Sequence, residues 1–142
     1  MVDSANAQVM LSTGMTVLRD ELGMAYDVTV DGEDTIYYTS GRSGGTCVIA
    51  PGASGLTITA RSENAPGASV TRELVYTANN RLQITYAKAE YFAKATAITV
   101  DGQSRTCPAG TFLLTDVQVK RGDDVLAQKG SYVICTIRPS LG

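Results

Sequence analysis

From residue 24 onward, apolar and polar positions alternate, and glycine, proline or asparagine residues interrupt the alternation at intervals. A period of two places successive side chains on opposite faces and is typical of half-buried β-strands. Two of the interruptions are Asp-Gly pairs, at 31–32 and 101–102, which favour tight hairpin turns. The pattern predicts an all-β fold, a single antiparallel sandwich or barrel domain over residues 24–142.

The strands that this alternation predicts are short and closely spaced. They cover residues 26–30, 35–39, 46–50, 56–60, 70–77, 82–86, 97–100, 111–119, 124–128 and 132–138. Pro51-Gly52 and Lys129-Gly130 are expected to turn the chain, and Asn79-Asn80 to join the strands on either side of it. The longest predicted loop is 62–69.

Two segments fit more than one structure. Residues 1–23 begin with helix-forming residues, but Gly14 and the β-branched residues around it argue against a long helix. A short helix, an extended arm and two short strands therefore stay open for this segment. Residues 87–95 have a helical composition, yet their alternation favours a strand that continues from Leu82 through a bulge near Tyr86.

Composition narrows the classes of function. The chain is 44% hydrophobic with a net charge of −2, which excludes a disordered tail and argues against a nucleic-acid or membrane partner. Histidine is absent, and with it the commonest general base and metal ligand. We therefore expect no cofactor, no bound metal and no small-molecule ligand.

The three cysteines, Cys47, Cys107 and Cys135, are widely spaced and odd in number. That pattern fits neither a disulfide scaffold nor a zinc site, so we interpret all three as small core residues. Alternation places Cys135 on the core-facing side of the terminal strand, with Val133 and Ile137. Whether any two cysteines pair stays open, because sequence does not set Cα distances.

No motif supplies a convincing catalytic site. Residues 41–45 spell the G-x-S-x-G string of a nucleophile elbow around Ser43, but no histidine base exists and a strand is predicted to follow. Acidic residues cluster in predicted turns, notably at 31–34, without the spacing of a calcium loop. We interpret the carboxylates within strands as solvated: Asp27, Glu73, Glu90 and Asp116. We therefore expect no catalytic residues and no enzymatic activity.

Candidate contact residues come from three places. Tyr37 and Tyr38 are adjacent on a predicted strand, so their rings point to opposite faces and at least one is expected to be exposed. Residues 121–123 spell the Arg-Gly-Asp adhesion tripeptide at a predicted hairpin tip, where turn geometry also favours glycine and aspartate. The apolar residues of segment 1–23 need a surface, which we expect a neighbouring subunit to supply in part. The candidates are Val9, Met10, Leu11, Tyr37, Tyr38, Arg121 and Asp123.

The N-terminal segment has no positively charged start and no continuous apolar run, which predicts no signal peptide and synthesis in the cytoplasm. A small all-β domain that is rich in Ser, Thr, Gly and Ala and lacks active-site chemistry resembles structural proteins of tailed-bacteriophage virions. The resemblance is to capsid decoration or cement proteins and to tail subunits. It implies a non-enzymatic assembly subunit, made in the host cytoplasm and located in the virion, whose partners are copies of itself and other virion proteins.

Two other functions fit the same residues. The first alternative is a monomeric β-sandwich binding module for a glycan or peptide, for which exposed tyrosines are suitable contacts. The second is an enzyme that uses only carboxylates.

Overall fold

The computed structural model describes residues 2–41, 45–52, 55–62, 65–74, 82–100 and 102–136. Within these residues there is one helix, α1 (Val2–Leu22), which is followed by eleven strands. The strands are β1 (Ala25–Val30), β2 (Ile36–Ser40), β3 (Thr46–Gly52), β4 (Gly55–Ser62), β5 (Ala65–Glu73), β6 (Leu82–Thr85), β7 (Lys88–Phe92), β8 (Thr96–Val100), β9 (Gln103–Cys107), β10 (Thr111–Arg121) and β11 (Asp124–Cys135). The predicted all-β fold is confirmed, and of the structures left open for residues 1–23 the helix is the one observed.

Among the described residues, all strand pairs are antiparallel and form three sheets. The first five strands form one sheet in chain order, from β1 to β5. In the second sheet, β10 lies between β11 on one side and β6 followed by β7 on the other. The third sheet is the β8–β9 hairpin alone. Side chains of the helix and of the first two sheets share one core cluster.

Helix α1 is longer than expected and belongs to this core. It continues through Gly14 to Leu22 and lies against β6, β10 and β11. Its buried residues follow helical spacing: Ala7, Met10, Leu11, Leu18 and Leu22. Burial of that face outweighs the roughly 1 kcal/mol that a glycine costs inside a helix. Met10 and Leu11, named as candidate contacts with a neighbouring subunit, are instead buried in the chain's own core, so that part of the expectation is wrong.

Strand β11 contradicts two predictions near the C-terminus. It runs without a break through Lys129 and Gly130, which therefore do not separate two strands. Ile134 is buried opposite the buried Phe112 of β10, so the neighbouring residue Cys135 lies on the other face and is exposed. The core position predicted for Cys135 is wrong, and Ile137, expected beside it, lies outside the described residues. Pairing with β10 sets the phase of the strand, which alternation alone left ambiguous by one residue.

Cys47 and Cys107 are buried as predicted, and none of the three cysteines is in a disulfide. Cys135 instead lines an open groove of about 470 Å³ between the end of α1 and β11. We expect a thiol reagent to label Cys135 quickly in the native protein and the other two cysteines only after unfolding. Peptide mass spectrometry after timed labelling measures this, with Cys135→Ser as the control. Native labelling of Cys47 at the rate of Cys135 would contradict the assigned burial.

Three further boundaries differ from the sequence-based expectation. Pro51 and Gly52 lie within β3 and pair with β4 instead of turning the chain. Most of the loop predicted at 62–69 is strand β5, which accommodates Pro66 because β5 lies at a sheet edge. The strands predicted on either side of Asn79-Asn80 are β5 and β6, which belong to different sheets. Residues 75–81 themselves lie outside the described part of the chain.

The preference for a strand over residues 87–95 is confirmed by β7. Strands β6 and β7 pair with successive parts of β10, and Tyr86 and Ala87 interrupt them. Asp34, from the β1–β2 connection, joins this interruption to the first sheet. Its carbonyl accepts a hydrogen bond from the Tyr86 hydroxyl, and its carboxylate Oδ1 accepts one from the Ala89 N–H at 3.2 Å.

Candidate interaction surfaces

The seven candidate contact residues lie on three separate elements. Met10, Leu11 and Tyr38 are buried in the core and are therefore not available to a partner. Val9 is exposed on α1, Tyr37 is exposed on β2, and Arg121 and Asp123 are exposed at the β10–β11 turn. The structure thus places the exposed candidates on three surfaces instead of one site.

Most of the solvent-facing side of α1 carries no charge, and the exposed charges of Arg19 and Asp20 lie near its C-terminal end. Residues 4–18 contain no ionisable side chain, although an exposed helix face normally carries charged residues. Val9 is 65% exposed. We call the following exposed residues the outer face of α1: Gln8, Val9, Ser12, Thr13 and Thr16. This face therefore consists of one apolar side chain among small and amide-bearing polar ones.

The outward face of the five-stranded sheet is rich in hydroxyl groups. Tyr37, Val48, Thr59 and Thr71 follow one another directly across β2 to β5, and the last two share a hydroxyl–hydroxyl hydrogen bond of 2.9 Å. A groove of about 390 Å³ crosses this face. We call it the Tyr37 groove, and its lining includes Asp27, Tyr37, Thr39, Thr46, Val48, Thr59 and Arg61.

Asp31 is the first residue of the acidic turn at residues 31–34, which lies at one end of this face. Its Oδ1 accepts hydrogen bonds from the N–H groups of Glu33 at 2.8 Å and Thr35 at 3.1 Å. Its Oδ2 accepts one from the Tyr37 hydroxyl at 3.1 Å. These bonds, led by those from Thr35 and Glu33, hold the pKa of Asp31 below its ordinary value. The Asp31 carboxylate thus stabilises the turn and orients the Tyr37 ring.

We expect Asp31→Asn to weaken the fold at neutral pH and to matter progressively less as the pH falls below 3.8, the ordinary pKa of an aspartate. A carboxyl group whose pKa is lower in the folded state stabilises the fold above its unfolded pKa. That contribution is lost as the pH falls through the folded pKa. Urea unfolding across an acidic pH series measures the effect. The control, Glu33→Gln, removes a carboxylate from the same turn but keeps the Asp31 hydrogen bonds, and identical pH profiles for both variants would contradict the assignment.

A polar contact that the sequence did not reveal joins the end of α1 to the sheet. The buried Tyr38 hydroxyl donates a hydrogen bond to Oε1 of Glu21 at 2.8 Å. Burial, followed by the Glu21 charge, raises the pKa of Tyr38 and that of the neighbouring Cys47 thiol. Cys47 is therefore protonated and unreactive at neutral pH. Alternation indicated only that Tyr37 and Tyr38 point to opposite faces, and not which ring is buried or what it contacts.

The Arg-Gly-Asp residues form a hairpin tip, as predicted. Arg121 pairs with Asp124 across the turn, and Gly122 has a φ of 61°, a conformation in which glycine carries no steric cost. All four residues of this tip are exposed. Turn geometry thus accounts for the glycine, and a contact role for Arg121 and Asp123 stays a prediction.

The β8–β9 hairpin projects from the rest of the described chain. It is inserted between β7 and β10, which pair with each other at its base through Phe92 and Thr111. The two strands pair throughout and make little contact with other elements. One face carries Thr96, Ile98, Val100, Gln103 and Arg105, and the other carries Ala97, Thr99, Ser104 and Thr106. The sequence predicted its first strand and its turn but not β9.

In the described ranges, no group of three or more His, Cys, Asp or Glu side chains could hold a metal ion. The helical residues that the structure describes include no segment long and apolar enough to cross a membrane.

Comparison with models of known protein families, with curated proteins and with solved structures found no match to this chain. Function is therefore inferred from the surfaces of the molecule itself.

Proposed function

We propose that this chain is a non-enzymatic structural subunit of a tailed-bacteriophage virion, acting through contacts with other protein subunits. The observation that carries the proposal is the outer face of α1. The inner side of α1 packs in the chain's own core. The helix is therefore fixed in place, and its outer face is exposed on a rigid element.

The chemistry of this face is suited to burial against protein. Charged side chains are depleted at the centre of protein interfaces, because desolvating an unpaired charge costs free energy. Serine and threonine are only moderate helix formers, so exposure to water gives no reason for their choice over lysine or glutamate. The outer face of α1 combines Ser12, Thr13 and Thr16 with the exposed Val9. A neighbouring subunit can cover all of them without burying a charge.

Association with particles tests the proposal. We expect virions purified from cells that produce this chain to contain it in a fixed ratio to the major shell or tube protein. Quantitative mass spectrometry of the purified particles measures that ratio. Particles without the chain, with all of it left in the soluble fraction, would contradict the proposal.

Two matched variants locate the contact. Val9→Glu adds a charge at the centre of the outer face of α1 and is expected to reduce incorporation into particles about tenfold or more, since a buried unpaired charge costs at least 1.4 kcal/mol. Gln128→Glu adds the same charge at an exposed position on β11 and is expected to leave incorporation unchanged. Equal incorporation of both variants would show that the contact lies elsewhere on the chain.

The Tyr37 groove favours a second candidate function, a binding module for a glycan. An exposed tyrosine ring, threonine hydroxyls, a carboxylate and a guanidinium line one groove, and sugars bind through ring stacking and hydroxyl hydrogen bonds. A nuclear magnetic resonance titration with cell-wall oligosaccharides tests this candidate. Shifts confined to the groove, and lost in Tyr37→Ala, would support it, whereas unchanged spectra would contradict it.

A further inference from the structure

We propose that two copies of this chain join through the β8–β9 hairpin, with β8 of one copy pairing antiparallel with β8 of the other. The inference deepens the proposed function, on which its biological meaning rests, by naming a contact between identical subunits. Its product is a four-stranded sheet shared by the two copies.

Within the part of the chain that the structure describes, the hairpin receives little support from other elements. Strands β8 and β9 form a separate two-stranded sheet and make little contact with the remaining described elements. A two-stranded hairpin is at best marginally stable in water, and three or more strands give independent stability. Within the described residues, each strand pairs on one side only. Pairing with a second hairpin supplies the missing strands.

The edge of β8 that is unpaired within the described residues lacks the features that keep edges apart. Charged residues and prolines normally protect an exposed edge strand, and β8 contains neither. Four of its five residues are β-branched: Thr96, Ile98, Thr99 and Val100. Such residues favour strand pairing.

The residues of two β8 strands are compatible when the strands pair antiparallel. In an antiparallel pair centred on Ile98, Thr96 of one copy lies opposite Val100 of the other, and Ala97 lies opposite Thr99. No like charges meet, and the Ile98 side chains of both copies lie on one face. An equivalent pair of β9 strands would centre on Arg105 and place two guanidinium groups opposite each other, which is unfavourable. The occupant of the β8 edge is therefore a second copy, arranged about a two-fold axis.

Site-specific cross-linking tests the pairing directly. Opposed residues of antiparallel strands have Cβ atoms about 4.5–5.5 Å apart, close enough for a disulfide after small adjustment. In a Cys135→Ser background, which removes the exposed native thiol, we expect Ile98→Cys to give an oxidised dimer. The matched control is Arg105→Cys, on the neighbouring strand of the same hairpin. It is expected to give about tenfold less oxidised dimer, because its two thiols are not held opposite each other and so have a lower effective concentration.

Mass in solution gives a second, independent readout. Light scattering on the full chain is expected to show a species of twice the 15.0 kDa of one chain. Ile98→Lys sets two charges against each other at the axis and is expected to halve that mass, whereas Ser104→Lys on β9 leaves it unchanged. Circular dichroism confirms that each variant is folded before its mass is interpreted.

The outcomes separate this inference from the proposed function. A monomeric wild type, or equal cross-linking of Ile98→Cys and Arg105→Cys, overturns the β8 contact. Incorporation of the chain into particles would in that case still support the proposed function. Loss of particle association with an intact β8 dimer would overturn the proposed function alone.

Discussion

Replacing Phe112 with alanine is expected to lower the free energy of unfolding by about 3–5 kcal/mol, because it leaves a large cavity in the core. Phe112 is fully buried on β10, the strand that pairs with β11, β6 and β7. Its ring centroid lies 4.8 Å from that of Tyr91, and Ile134 lies directly opposite on β11. Urea unfolding followed by circular dichroism measures the loss.

Val125→Ala is the matched control for Phe112→Ala. Val125 lies on the neighbouring strand β11 but is 45% exposed, so its truncation is expected to change stability by less than about 0.5 kcal/mol. A loss of under about 1 kcal/mol for Phe112→Ala would show that β10 is not the centre of the core.

Leu18→Ala is expected to cost about 2–5 kcal/mol, the range for a fully buried leucine. Leu18 has no exposed surface and belongs to the core cluster shared by α1 and the sheets. The result distinguishes a helix that completes the core from an arm that only meets neighbouring subunits. Thermal or urea unfolding of the full chain measures it.

Val9→Ala provides the control on the same helix. Val9 faces solvent, and alanine is the better helix former, so stability is expected to stay within about 0.5 kcal/mol of wild type. If both truncations were equally mild, α1 would be an arm independent of the core. This pair also validates the particle experiment, because it shows that Val9 can be changed without disturbing the fold.

The local pattern of apolar, polar and turn residues was sufficient to predict most of the strands. Alternation and turn residues identified β1 to β4, β8 and β10 within a few residues, because side chains on a half-buried strand must alternate. It also separated Tyr37 from Tyr38, since neighbours on a strand face opposite ways. The exposure of Arg121 and Asp123 followed from turn rules, whereas only the structure showed that Tyr37 is the exposed member of its pair.

Local sequence patterns could not predict contacts that depend on packing between distant segments. Met10 and Leu11 were assigned to a partner because their apolar side chains need a surface, and nothing local says which surface provides it. The link from Tyr38 to Glu21 joins residues 17 positions apart. The projection of the β8–β9 hairpin depends on what the rest of the chain leaves uncovered. Each of these features is a property of the assembled core.

The sequence by itself determined an antiparallel β fold, the position of most strands and the chemistry of the turns, because these depend on neighbours within a few residues. Only the tertiary structure decided the phase of β11, which exposes Cys135, and the continuation of α1 past Gly14. It also decided that residues 65–73 form an edge strand. Within the described chain, it further decided that β8 pairs with β9 alone. The physical reason is that a one-residue slip, a glycine in a helix or a proline in an edge strand costs little locally. Burial of α1 and of one face of β11 outweighs such costs, and pairing with β4 holds β5, whose side chains at 69–73 are exposed.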